Sequence, residues 1–151
     1  MKKLDGYELN ITQNDNVLQF TFMSEGKKGS IEKMIEFTPM QNSRWNLGFG
    51  DIQNEDWVDS VVSNNNNMRK VLQTVANTIH AFFDIYPKHE ILIMPVDRRR
   101  KLLYNRTFQQ KWAEIEPIFA VKAIDLNTIK PKVEDYSSEK IYDYFLITQK
   151  S

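Results

Sequence analysis

The stretch NMRKVLQTVANTIHAFFDIY, residues 67–86, decides the reading of the fold. Met68, Val71, Leu72, Val75, Ala76, Ile79, Phe82, Phe83 and Tyr86 recur at i, i+3, i+4 spacing, while Arg69, Gln73, Asn77, His80 and Asp84 take the other side. An apolar stripe of that period is what a helix lays against a sheet. Asn67 suits the start, because an asparagine side chain accepts a bond from an unsatisfied backbone N–H. Pro87 supplies the stop by driving the residue before it out of the α region.

Upstream, the period changes to two. Residues 17–23 alternate with Leu18, Phe20 and Phe22 on one face. Residues 31–38 place Ile31, Ile35 and Phe37 opposite Glu32 and Glu36, and residues 44–50 alternate Trp45, Leu47 and Phe49 with Asn46, Gly48 and Gly50. Three such runs joined by short turns predict an antiparallel meander. Downstream, residues 90–96 are almost wholly apolar, as in a strand covered on both faces. A second helix is predicted from a cap at Asp97 through Leu103, Tyr104, Phe108, Trp112 and Ile115, closed by Pro117. Residues 119–124 and 142–148 read as two last strands, separated by a polar loop carrying Pro131. The order β-β-β-α-β-α-β-β predicts an α+β fold: one mixed sheet with two main helices packed on it, as a single domain over residues 1–151.

Composition narrows the classes. The 151 residues are 41% hydrophobic and 26% charged, as in globular proteins. Cysteine is absent, which removes disulfides, thiolate metal sites and cysteine nucleophiles. The 20 basic and 20 acidic side chains cancel, so no general attraction to nucleic acid is expected. No run reaches the roughly 18 apolar residues of a membrane helix, and the start Met1-Lys2-Lys3-Leu4-Asp5 has no apolar run behind it. A cytoplasmic protein with no membrane association is expected.

The candidate sites are few. Arg98, Arg99, Arg100 and Lys101 stand where the second helix begins, just after the apolar strand. Free N–H groups at a helix start and forked guanidinium donors suit phosphate or carboxylate, so these four residues are the candidate anion site. Successive helical residues point about 100° apart, so the four cannot all face one ligand, and such a run is also ordinary solvated surface. Trp57 sits in the polar stretch with Asp51, Glu55, Asp56 and Asp59 and is the candidate partner-binding anchor. Those carboxylates lack the alternating ligands and fixed glycine of a calcium loop, so no metal site is expected. His80 and His89 lack ligand spacing, and no P-loop, G-x-G-x-x-G or G-x-S-x-G is present.

Two resemblances add to this reading. The element order over residues 17–148 is similar to the core of the GNAT acetyltransferases, and Leu103-Tyr104 looks like that family's leucine–tyrosine step. The resemblance implies acetyl-CoA as cofactor and Tyr104 as general acid. The segment Ser63-Asn64-Asn65-Asn66-Asn67-Met68-Arg69-Lys70, where that family has a glycine-containing pyrophosphate loop, holds no glycine. In wording, the chain resembles short uncharacterised bacterial proteins that form a domain of unknown function. The phrases are Phe22-Met23-Ser24-Glu25-Gly26-Lys27-Lys28-Gly29, Asn46-Leu47-Gly48-Phe49-Gly50-Asp51, Val71-Leu72-Gln73-Thr74-Val75-Ala76 and Arg100-Lys101-Leu102-Leu103-Tyr104. The leading expectation is a non-enzymatic binding or regulatory module with a protein partner or self-association, by analogy one of a toxin–antitoxin or phage-conflict pair. A GNAT-like acyltransferase is the alternative, and nucleic-acid contact through residues 98–101 comes third.

Overall fold

The computed structural model describes residues 6–14, 16–26, 29–51 and 68–150. In chain order the strands are β1 (Asn10–Asn14), β2 (Val17–Gly26), β3 (Gly29–Pro39) and β4 (Arg44–Asp51), followed by helix α1 (Met68–Ile85). Then come β5 (Glu90–Ile93), helix α2 (Arg98–Ile115), β6 (Phe119–Ile124), β7 (Val133–Asp135) and β8 (Tyr144–Gln149). The strands form one mixed sheet in the order β1-β2-β3-β4-β5-β8-β6-β7. The predicted α+β order holds, with β1 and β7 added at the sheet margins. The chain divides into two compact units, Met1–Pro39 with Leu47–Pro87, and Met40–Asn46 with Lys88–Ser151.

In the first unit, β1, β2 and β3 pair antiparallel, and Leu18↔Phe37 and Phe20↔Ile35 stand opposite each other. Their buried face receives α1: Phe37 stacks on Phe82 at 4.8 Å, and Phe82 meets Phe83 edge-on at 5.3 Å. Burying such a phenylalanine accounts for about 2 kcal/mol or more. The buried helix face is shifted from the predicted stripe, and Leu72, Val75, Ala76 and Ile79 of that stripe are only half-buried. Asn77, Thr74 and Thr78 are buried, although their polarity argues for solvent. The segment before β1 covers Thr74 and Asn77, while the Thr78 hydroxyl donates to the Val75 carbonyl within the helix. The Tyr7 N–H donates to Thr74 Oγ1 at 2.8 Å, Tyr7 stacks on Phe22, and Lys70 Nζ lies 4.4 Å over the Tyr7 ring.

In the second unit, β4 and β5 run parallel from Arg44↔Glu90 to Asn46↔Leu92, and β8 lies antiparallel between β5 and β6. An ion pair of 2.7 Å joins Arg44 to Glu90, and Trp45 Nε1 donates to His89 Nδ1 at 2.8 Å. β5 ends at Ile93, earlier than its apolar run suggests, because Pro95 has no N–H to give a ladder and Asp97 already caps α2. Phe108 of α2 stacks on Phe145 of β8 at 4.3 Å, with Trp112, Tyr136 and Tyr142 around them.

Candidate functional site

The start of α2 carries the most unusual chemistry among the described residues. Asp97 is extended (φ −151°, ψ 172°), and its Oδ1 accepts the N–H of Arg100 at 2.8 Å, a side-chain N-cap. Its second oxygen, Oδ2, is buried and makes no hydrogen bond. Arg100 itself is 3% exposed, and its Nε and Nη2 are likewise buried without a hydrogen-bond partner. A buried N–H left without a hydrogen bond costs about 1–3 kcal/mol, and departures of this kind gather at functional sites.

Tyr104 lies one turn further along the same side, since residues three and four apart share a helix face. Burial raises the pKa of its hydroxyl above the ordinary 10.0; the nearby Arg100 charge works against this and Asp97 works with it. The phenol, like an ordinary tyrosine, bears its proton at neutral pH, and the upward shift makes it a weaker acid. The neighbouring face holds structural bonds instead. Lys101 pairs with Asp143 at 2.7 Å. Asn105 Nδ2 donates to the carbonyl of Tyr142, and Asn105 Oδ1 accepts the Tyr142 N–H, each at 2.8 Å. Tyr142 spends its backbone groups on this clamp, and β8 begins only at Tyr144.

The four basic residues therefore separate. Arg98 and Arg99 are exposed, Arg100 is buried and Lys101 is held by Asp143. The charges of Arg100 and Asp97 both act on the Tyr104 hydroxyl, in opposite directions. Trp57, Glu55, Asp56, Asp59 and the asparagine run at residues 64–67 lie outside the described residues. Among the described residues no cluster of three or more histidine, aspartate or glutamate side chains is placed to hold a metal ion. No helix there is long and apolar enough to cross a membrane.

Sequence reasoning also missed the burial of Lys33, Ser24 and the Tyr136 hydroxyl. Lys33, 1% exposed, sits on the inward face of β3 with its ammonium 6.0 Å over the Phe49 ring. Its place between Ile31 and Ile35 in a period-two run was the available signal. Ser24 Oγ and Tyr136 OH are buried without hydrogen bonds, and burial pushes Tyr136 up to about 12. A cleft of about 180 Å³ lies on the other side of α2, lined by Leu102, Asn105, Arg106, Gln109 and Ile141.

Fold and site together define an α+β protein with a mixed sheet and a cationic, partly buried helix start. The family model of DUF6934, a family of unknown function, matches residues 3–150, and the chain belongs to that family. No curated protein and no solved structure matches it.

Proposed function

We propose that the chain is a binding module rather than an enzyme, and that the start of α2 receives an anionic group, phosphate or carboxylate, from its partner. The observation that carries this reading is Arg100: a guanidinium 3% exposed whose Nε and Nη2 make no hydrogen bond. Exposed Arg98 and Arg99 draw an anion toward the helix start, where the dipole favours it. Arg100 then supplies directed N–H donors in a water-poor setting, where each bond is stronger than at the surface. Asp97 Oδ2 accepts a proton-bearing group of the same ligand, which distinguishes a monoprotonated phosphate or an amide neighbour from a bare anion.

Thermal unfolding with inorganic phosphate, coenzyme A and acetyl-CoA tests this reading. A ligand at 100 times its Kd stabilises by about 2.7 kcal/mol. The expected result is a stabilisation that Arg100→Met removes and Lys101→Met leaves in place. No shift with any probe at millimolar concentration contradicts the reading.

A second reading is favoured by Tyr104. Its phenol bears a proton at neutral pH and stands one turn from Arg100, which supports the acyltransferase alternative with Tyr104 as general acid and acetyl-CoA as donor. Transfer from acetyl-CoA that Tyr104→Phe abolishes while leaving acetyl-CoA binding unchanged would establish it. Binding without turnover leaves the module. Salt-dependent binding of DNA or RNA, lost in the Arg98/Arg99/Arg100→Ala variant, would replace both with nucleic-acid contact.

A further inference from the structure

We propose that β1 is a self-pairing edge through which two copies of this chain join antiparallel about Thr12. The sheet ends in β1 on one side and β7 on the other, and the two edges are built differently. β7 is three residues long, Val-Glu-Asp, with Glu134 held by Lys140 at 3.0 Å. A short charged edge resists pairing with another chain. β1 is Asn-Ile-Thr-Gln-Asn, with all five residues exposed and none charged, and no proline interrupts it. Its register with β2 runs unbroken from Asn10↔Thr21 to Asn14↔Val17. Among the described residues, no charge, proline or break in the register protects this edge.

The register also fits a second copy of the chain as the occupant. Two residues separate Asn14 from Val17, which makes that closing pair the hydrogen-bonded kind. Alternation then gives the backbone groups of Asn10, Thr12 and Asn14 to β2 and turns those of Ile11 and Gln13 toward the open edge. A second copy laid antiparallel about Thr12 sets Ile11 opposite the second copy's Gln13 and satisfies every outward N–H and C=O. The same arrangement makes Ile11, 59% exposed in a single chain, a diagonal neighbour of its own copy on one face. A neutral strand pairs with its copy without like-charge repulsion.

The absence of native cysteine makes the test clean. The two Thr12 residues form a non-hydrogen-bonded pair, with Cα atoms about 4.5 Å apart, within reach of a disulfide. Asn10 faces Asn14 of the copy and cannot meet itself. Under mild oxidation, Thr12→Cys is expected to cross-link about tenfold or more faster than Asn10→Cys. Light scattering of the unmodified chain over a concentration series is expected to show a dimer that Ile11→Lys returns to a monomer. Equal cross-linking rates for the two cysteine variants, or a single-chain mass at every concentration, overturn the proposal.

Discussion

Arg100 and Gly6 are the two residues at which substitution speaks most directly. Arg100→Met keeps the length of the side chain and removes a buried charge that has no hydrogen bond at Nε or Nη2. Removing a buried charged group whose N–H donors lack partners also removes its desolvation cost. Urea unfolding of the ligand-free protein is therefore expected to show Arg100→Met at least as stable as the parent. Gly6 is the opposite case. A Cβ there would stand 2.8 Å from Asn77 Nδ2 and 3.0 Å from Thr74 Oγ1, both on α1. Gly6→Ala is expected to lose about 1–3 kcal/mol by overpacking, read as a lower urea midpoint. Neither residue's role was legible in the sequence. Periodicity marks the apolar face of a helix, but not which arginine in a run of three turns inward. Nothing local says that the Gly6 segment covers Asn77 and Thr74.

At the scale of elements, α1, α2 and the central strands were readable because each couples a clean period to a physical stop: Pro87 after α1, Asp97 before α2, Pro117 beyond it. β1 and β7 were not. Asn10–Asn14 has a single apolar residue, and its strand character comes from pairing with β2, a contact that no local pattern encodes. The clamp on α2 was half visible, since a mid-helix asparagine is a poor helix former and asks for a reason. That reason is the two bonds to the Tyr142 backbone. Asn105→Ala strands a buried N–H and C=O, each costing about 1–3 kcal/mol. A loss on the order of 3 kcal/mol is expected by chemical denaturation, together with faster hydrogen exchange at the start of β8.

At the scale of the molecule, Asp143 and His80 are two described groups from which a pH dependence of stability is expected. Burial tends to raise Asp143, but the Lys101 bond and the Leu126 N–H outweigh it and leave the carboxyl below its ordinary 3.8. A depressed carboxylate stabilises the fold above its unfolded pKa and loses that contribution as pH falls through the folded value. This part of the acid limb therefore lies below about pH 4, and Asp143→Asn should flatten it. Burial lowers His80 below 6.5, despite the opposing charge of Asp84. The fold thus favours neutral imidazole, and stability should decline as pH drops from about 6.5 toward the lower folded value. His80→Gln should remove that step and leave the Asp143 limb in place.

The central claim is that Arg100 is kept buried, with Nε and Nη2 making no hydrogen bond, for a ligand rather than for the fold. Thermal unfolding of the parent and Arg100→Met, each with and without saturating phosphate, coenzyme A and acetyl-CoA, tests it most directly. The account predicts that the variant unfolds at the same or a higher temperature without ligand and is no longer stabilised by the probe that stabilises the parent. A variant that unfolds well below the parent and still gains the full ligand shift would contradict it.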